Sequence, residues 1–488
     1  MQMRVRGVSL GLSVVGTALL AAACVSARAQ EQALPSAPSA VARPLVLTSG
    51  VTVEREQPGV VRLTLDDAIA TALKQNTELR VRSDQEKYVH GQVLTVGNAL
   101  APNISLNAYS QAQEVDLAAL GFKPSSLAGL KFNGQTVGTI APIVKINTTS
   151  AELQLSQALF NVPAFYLYRA ARKAGDATVW QTLNSRGGVV IAVGGLYLRA
   201  LADAAQVRNA EGLVKQDELV YEHAKASKEA GVGINLDVLR AQVELQNEEQ
   251  ALVQARNAEA KDKIQLNREM NQPAGQELEL VDTVPFAEFN ELSLGDAMKL
   301  AEIKRKDLRG LESQLEVAVQ TQKAVKYERV PTLGFGGYYG VIGETTGSYH
   351  GNFVAEGQLS VPVFEEGELR GQKEVAVAQT RALRQQIEST RGSIEGEIRS
   401  AMLDVQSAAE LVKVARSNVE LASEALSDAT MRFTAGVDDN LPVVRAQATL
   451  VGAQTQVIEA EFEYNYAKLT LARNTGVVET QYKDYLGR

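Results

Sequence analysis

The chain has 488 residues, of which 57 are acidic and 49 are lysine or arginine, and its formal net charge is −8. General nucleic-acid binding needs a basic face, so this composition predicts no nucleic-acid partner. The single cysteine, Cys24, excludes an internal disulfide framework and a cysteine-cluster metal site. The three histidines, His90, His223 and His350, are too far apart in the chain to favour a multi-histidine zinc site. We therefore predict neither a metal nor a cofactor.

Residues 1–29 have the pattern of a secretory signal peptide. Two arginines precede an apolar stretch from Val8 to Ala23, and residues 27–29 form an A-x-A cleavage site. One alternative is an uncleaved membrane anchor. Another is lipidation at Cys24, because the three alanines before it resemble a lipobox that lacks its usual leucine. Residues 30–58, rich in proline and alanine, are predicted to be a flexible exported linker.

No later segment is expected to reach the length of a transmembrane helix. The best candidate, residues 188–198, has about half of the length that a bilayer requires. This expectation excludes an inner-membrane transporter. A membrane β-barrel stays possible, because its alternating strands give only a weak hydropathy signal.

Beyond residue 58 the same sequence pattern occurs twice. Leu-Thr-Leu-Asp-Asp-Ala at 63–68 returns as Leu-Ser-Leu-Gly-Asp-Ala at 292–297, and the Ala-Gly-Val of 230–232 returns at 435–437. The early motifs share one offset and the later motifs a smaller one, which predicts a longer loop in the first copy. We predict a first repeat, an inter-repeat linker, a second repeat and a C-terminal tail, at 59–275, 276–291, 292–478 and 479–488.

Each copy is predicted to begin with a helix and to continue into two strands. Thr64 and Ser293 suit the N-cap position, and each is followed three residues later by an aspartate. The helix is expected to run to Pro102 or Pro331, because proline disfavours helix in the residue before it. Alternating apolar and polar residues then predict two strands in each copy and four in the chain.

A long proline-free stretch follows each strand pair. Between Ile394 and Phe433 apolar residues recur at alternating spacings of four and three, which is typical of a coiled-coil seam. Residues 164–230 alone would form a helix about 100 Å long. The pattern therefore predicts a long helical hairpin in each copy.

The two hairpin turns carry their own signals. Gly231 and Gly436 suit the position that ends a helix in the left-handed conformation. Asn235 and Asn440 suit the N-cap of the returning helix.

Four strands cannot close a membrane barrel, because the smallest bacterial barrels need about eight. Three copies of the chain would supply enough strands for a barrel with an open lumen. Aromatic residues near the strands are candidates for an interfacial belt, although ordinary strand packing would account for each of them. They are Tyr109, Phe122, Tyr338, Tyr339 and Phe353.

The sequence resembles the TolC-type outer-membrane efflux proteins over roughly residues 60–478. The resemblance is carried by the two helix starts, the prolines before the strands, the strand-to-helix motifs and the segments after the hairpin turns. These are 63–69 and 292–297, Pro102 and Pro331, 155–160 and 359–364, and 237–242 and 442–447.

The resemblance implies an α+β membrane protein, a homotrimer with a 12-stranded β-barrel on a 12-helix α-barrel. It implies a location in the outer membrane of a Gram-negative-type bacterium, in contact with outer-membrane lipid, with the helical part in the periplasm. It further implies a passive exit duct of a tripartite efflux or type I secretion system, engaged by a periplasmic adaptor and an inner-membrane transporter.

The resemblance also points to the hairpin turns as the periplasmic entrance and the adaptor contact. The residues expected there are Gly231, Val232, Asn235, Asp237, Arg240, Gly436, Val437, Asp438, Asp439, Asn440 and Arg445. Family members carry acidic residues after the second turn, where this chain has Pro442 and Arg445. Asp438 and Asp439 could supply a substitute acidic ring, or could simply be solvated turn residues.

No catalytic motif stands out, and we predict no enzyme. The glycine-rich run at 334–340 misses the G-x-G-x-x-G spacing, and no G-x-S-x-G or H-E-x-x-H motif occurs. His223 is read as a surface or seam residue. The alternative to a channel is an exported coiled-coil scaffold or tether without a pore.

Overall fold

The computed structural model describes residues 59–116, 131–132, 135–136, 143–231, 233–282, 287–289, 292–345, 347–435, 437 and 441–487. The predicted signal peptide with Cys24, the linker to residue 58, Phe122, and five of the predicted entrance residues lie outside the described residues. Those five are Val232, Gly436, Asp438, Asp439 and Asn440.

Apart from two short strands between the long strands of the first half and a final helix, strands and helices follow one another in the same order in both halves of the chain. The strands are β1 Val61–Leu63, β2 Asn103–Asp116, β3 Lys131–Phe132, β4 Gln135–Thr136, β5 Ile143–Phe160, β6 Leu278–Leu280, β7 Thr332–Glu344 and β8 Tyr349–Ser360. The helices are α1 Leu65–Gln75, α2 Thr77–Gly97, α3 Val162–Glu229, α4 Asn235–Glu269, α5 Leu294–Lys304, α6 Lys306–Tyr327, α7 Glu366–Thr434, α8 Leu441–Asn474 and α9 Val478–Leu486.

The four long strands form one antiparallel sheet in the order β2-β5-β7-β8. Each half of the chain contributes one hairpin, and β5 pairs with β7 at the centre from Thr148 to Phe160. The four predicted strands are confirmed as these long strands, whereas the short strands β1, β3, β4 and β6 were not predicted. Because β2 and β8 are at the edges, each pairs with one neighbour only within the described chain.

The helix before each strand pair is broken, and the prediction of one continuous helix is wrong in both copies. Asn76 leaves the helical conformation, and its side-chain oxygen accepts from the backbone N–H of Glu78 at 2.9 Å and of Leu79 at 3.3 Å. It thereby caps α2, because asparagine competes with the helix for backbone donors. Arg305 makes the matching break before α6, and its guanidinium is bound to Asp307 and Glu397.

The two long helices are confirmed, with 68 residues in α3 and 69 in α7. On α7, the predicted seam is buried at eight positions and half-buried at the remaining four towards the turn. The buried positions are Ile394, Ile398, Ala401, Val405, Ala408, Val412, Ala415 and Ala422. Sustained spacings of four and three thus place α8 along one face of α7.

Helix α3 corrects the expectation about membrane-length segments. It is long and apolar enough to cross a membrane by length and composition, with a mean hydropathy of 1.5 in its most apolar window. However, 61% of that window is buried inside the protein. The same test is met by core helices of folded domains, so it is weak evidence for a membrane span.

The largest apolar core lies where α1, the middle of α3, the end of α8 and α9 meet. Small residues allow the close approach, since a side chain at Gly194 would meet Leu469 at 3.0 Å and one at Gly195 would meet Tyr466 at 2.8 Å. The buried Tyr197 hydroxyl donates to the Leu63 carbonyl and also lies 2.8 Å from an Asp282 carboxylate oxygen. The segments predicted as inter-repeat linker and tail contribute β6 and α9 to this region.

Candidate functional site

One face of the four-stranded sheet is apolar and open to the surroundings. Leu106, Leu153, Tyr339 and Phe353 pair directly across the four strands, and directly paired residues share a face. Their exposed fractions are 74%, 50%, 70% and 73%. A row of large apolar side chains this exposed is unusual for a surface in water, where large apolar patches mark contact sites.

The opposite face of the same sheet is polar. Asn107 and Gln154 hydrogen-bond across β2 and β5 at 3.0 Å between Nδ2 and Oε1. Cross-strand rows on this face contain Asn103 with Ser156, Ser105 with Gln154, and Asn107 with Glu152 and Asn352. An apolar face opposite a polar face is the pattern of a membrane β-barrel, whose lipid side is apolar and whose lumen is polar.

The strands are long enough to cross a bilayer. The shortest long strand, β8, has 12 residues, whereas a tilted transmembrane strand needs about 9–11. The sheet therefore has the length, but not the closure, of a transmembrane wall.

The predicted aromatic belt is not formed by the described candidates. Tyr109 is paired with Ser150 on the polar face, and the Tyr338 hydroxyl accepts from Asn352 at 3.3 Å on that same face. Tyr339 and Phe353 lie on the apolar face but pair with each other in the middle of their strands. The alternation alone did not reveal which aromatic residues share a face, because that depends on the pairing register.

The first hairpin turn reverses at Gly231, as predicted, where φ is +77°. The Gly231 N–H donates to the Lys228 carbonyl at 3.0 Å. Asn235 is not the N-cap, and that prediction is wrong. It is the first residue of α4, and its side-chain oxygen instead accepts from the Lys228 ammonium at 2.7 Å.

Apolar side chains that sequence reasoning missed surround the first turn. Ile234, Leu236 and Leu239 are 58%, 48% and 51% exposed. Asp237 lies among them in the first turn of α4, and its Oδ1 is 3.8 Å from a guanidinium nitrogen of Arg240. The sequence could have indicated this group, because three large apolar residues occur within the six positions 234–239, at and just after a predicted turn.

At the second turn, the exposed Val437 donates its N–H to the Arg432 carbonyl at 3.0 Å. Arg445 is exposed on α8, one turn beyond Pro442. The rings of His223 and Phe433 lie 6.4 Å apart, which brings the two hairpins together near their turns.

Polar contacts join the first hairpin to the second along α3 and α8. Arg199 binds both Glu459 oxygens at 2.9 Å, and the Gln206 amide donates to the Thr455 hydroxyl at 3.2 Å. Nearer the turns, the Gln447 amide donates to the Asp217 carboxylate.

Asp217 is 3% exposed, and burial raises the pKa of its carboxyl group. The hydrogen bond from Gln447 opposes this rise, and the negative charge of Glu244 adds to it. Asp217 follows Ala210 and Leu213 at the spacing of buried residues on one face of α3. That spacing could have predicted a buried carboxyl group from the sequence.

The family model of the outer membrane efflux proteins matches residues 68–272 and 297–477, which is most of the chain. The chain belongs to the outer membrane efflux protein family. The family places the apolar face of the sheet in the outer membrane and the helical hairpins in the periplasm, so the predicted family, location and fold class are confirmed. The tether without a pore is not supported.

Individual relatives are distant in sequence and similar in fold. The chain is 24% identical to the alkaline protease secretion protein AprF of Pseudomonas aeruginosa over 348 residues, which are 67% of this chain and 69% of AprF. The outer membrane channel CmeC of Campylobacter jejuni matches at a TM-score of 0.71 and 14% identity, over 86% of this chain and 89% of CmeC. The open-state channel MtrE of Neisseria gonorrhoeae matches at 0.68 and 18% identity, over 87% and 88%.

Proposed function

We propose that this protein is the passive exit duct of a tripartite efflux or type I secretion system, and that it acts as a homotrimer. The observation that carries the proposal is the sheet, which has a lipid-type face, a polar face and two edges that are unpaired in the part of the chain that the structure describes. A sheet of four strands encloses no lumen by itself, so copies must share one barrel. Energy for transport would come from the partners.

Exposed apolar side chains on the hairpins support the assembly of copies. On α7, Leu403, Val414 and Leu421 are 65%, 56% and 62% exposed. Their directions around the helix axis differ by no more than about 20°, so they form one stripe along the helix. On α4, Val253 and Ile264 are 67% and 48% exposed and share another stripe. We infer that such stripes pack between neighbouring protomers to form the periplasmic tube.

The hairpin turns are the proposed contact with the periplasmic adaptor. The exposed apolar group of Ile234, Leu236 and Leu239 offers the apolar centre that protein interfaces use. The polar residues predicted at the two turns would supply the polar rim, and these are Asn235, Asp237, Arg240, Asp438, Asp439, Asn440 and Arg445. The inner-membrane transporter would reach the duct through that adaptor.

We also infer that Asp438 and Asp439 set the charge of the entrance, since the acid positions of the family are occupied by Pro442 and Arg445. The double variant Asp438→Ala/Asp439→Ala should lower the preference of the channel for cations. Asp428→Ala, which removes an exposed acid further up α7, is the matched control. Single-channel recordings with an unchanged cation preference in the double variant would contradict this role.

Reconstitution of the mature chain in planar lipid bilayers tests the function itself. A duct predicts stable single-channel conductance, together with chemical crosslinks that end at three chains. A tether without a pore predicts a chain that binds to its partners but conducts nothing. Absence of conductance from a correctly inserted trimer would overturn the proposal.

A further inference from the structure

Aromatic rings gather where the helices meet the sheet. Tyr166 in the first turns of α3 stacks on Tyr327, the last residue of α6, with ring centroids 5.2 Å apart and planes 5° from parallel. Phe165 packs edge-on against Tyr166 at 5.6 Å. Helix α3 begins just after β5 ends, and α6 ends just before β7 begins, so this cluster lies at the periplasmic border of the membrane.

Three cationic groups lie over these rings. The Arg169 guanidinium carbon is 5.9 Å from the centroid of Phe165, and the Lys323 ammonium is 5.9 Å from that of Tyr166. The Lys326 ammonium is 5.6 Å from the centroid of Tyr327. All three side chains are exposed, and none of them forms an ion pair with another of the described residues.

Two other cations at about this level are neutralised by carboxylates, whereas Arg172 is exposed without an ion pair to another of the described residues. Lys173 is 2.7 Å from a Glu316 oxygen, and Arg329 is 2.8 Å from a Glu366 oxygen. Glu328 follows Tyr327 with helical backbone angles, so at 100° per residue its side chain points about 140–160° away from Lys323 and Lys326. The carboxylates on the same side of α6 as Lys323 are Glu312 and Glu316, about 20° away, and each is paired with another cation, Arg309 and Lys173 respectively.

The two lysines start just beyond the headgroup layer, and their side chains are long enough to reach it. At ~1.5 Å per residue, Lys326 and Lys323 lie about 9 and 14 Å along the helix from the start of β7. The headgroup layer is roughly 5–8 Å thick on each side of the hydrocarbon, and a lysine side chain can extend towards it. Aromatic rings favour this interface, and ammonium and guanidinium groups bind phosphate oxygens.

We propose that Arg169, Lys323 and Lys326 form a binding site for the phosphodiester headgroups of phospholipids in the periplasm-facing leaflet. The aromatic rings hold the three cations close to the border of the membrane, and the N–H groups of these cations donate to the phosphate oxygens. This site rests on the outer-membrane position of the sheet. It would fix the depth of the duct in the bilayer while the apolar face of the sheet contacts the acyl chains.

Native mass spectrometry of the purified full-length trimer tests the site with phosphatidylglycerol as the probe. The variant Arg169→Ala/Lys323→Ala/Lys326→Ala should bind phosphatidylglycerol at least fivefold more weakly than the wild type. The control Arg208→Ala/Lys225→Ala/Lys261→Ala removes three exposed cations from the hairpin far from the membrane and should leave lipid binding unchanged. Equal lipid loss in both variants, or no loss in either, would overturn the proposal.

Two further measurements keep the outcome unambiguous. The variant Arg169→Lys/Lys323→Arg/Lys326→Arg keeps the charges, so it should retain phosphatidylglycerol even if the alanine variant fails to assemble, and loss of lipid here contradicts the site. Displacement of the lipid by millimolar inorganic phosphate would show a simple anion site and likewise contradict it. Conductance of the wild-type protein reports separately on the duct, so a conducting channel without lipid preference defeats this proposal alone.

Discussion

Asp203 shows how a single buried carboxyl group can make the periplasmic part of the duct sensitive to pH. It lies on α3 at 8% exposure, and burial, with a hydrogen bond to Asp262, raises its pKa to about 6. Arg199, 3.4 Å away, opposes that rise. A carboxyl group whose pKa is higher in the folded chain binds its proton more tightly when folded.

The free energy of unfolding should therefore fall as pH rises from about 4 to about 6, and this contribution should be constant above that range. Asp203→Asn removes the titrating group, so the free energy of unfolding of this variant should vary less between pH 4 and pH 7 than that of the wild type, by an amount of order 1–3 kcal/mol. Thermal unfolding of the detergent-solubilised protein measures this. Asp428→Asn, an exposed control on α7, should keep the wild-type profile. Parallel profiles for wild type and Asp203→Asn would contradict this explanation.

Residue-scale features differed in how far they could be predicted. Thr64 and Ser293 cap their helices because their hydroxyl oxygens accept hydrogen bonds from the backbone N–H groups of Asp67 and Asp296 at 3.1 Å. Such local contacts can be predicted from residue spacing alone. The partner of Asp217 is 230 residues away, so no local pattern identifies it. Burial changes the chemistry of such residues through tertiary contacts, which spacing does not encode.

At the scale of elements, the long helices and the strands can be predicted from local sequence. Of the two helix breaks, one can be predicted in this way and the other cannot. The heptad spacing fixes the seam of α7, and alternation fixes the strands. Asn76 is a good capping residue and could have been recognised as a break. The break at Arg305 depends on Glu397 of α7 and on the carbonyl of Asn474, which reach it only in the folded chain.

Adjacent residues of β2 lie on opposite faces of the sheet, so the same substitution at both positions compares the two faces directly. Leu106→Lys places a charge on the apolar face, which should cost about 2–4 kcal/mol near the middle of the bilayer. Ser105→Lys places the same charge on the polar face and should be tolerated. Heat-modifiable trimers in outer-membrane fractions provide the measurement. Equal amounts of trimer from both variants would contradict the assignment of the apolar face, and not the polar face, to lipid.

At the scale of the whole molecule, a single chain supplies parts rather than a pore. Its sheet has lipid-type and lumen-type faces, and within the described residues its edge strands β2 and β8 each pair on one side only. Its hairpins carry exposed apolar stripes. Duplication within the chain gives two strand pairs and two hairpins, and further copies must supply the rest. The barrel could be inferred from the sequence because strand number is countable, whereas the cargo leaves no comparable pattern.

Disulfide crosslinking between the sheet edges tests this shared barrel most directly. In a Cys24→Ser background, Ala108→Cys on β2 is combined in turn with cysteine at Gly351, Phe353, Ala355 or Gly357 on the same face of β8. Ala108→Cys with Ala151→Cys, which are paired within one chain, is the control that should give no intermolecular bond. We predict that at least one edge pair yields a ladder of crosslinked chains that ends at three. Edge pairs that never join two chains in the membrane, or a ladder that ends at two, would contradict the account.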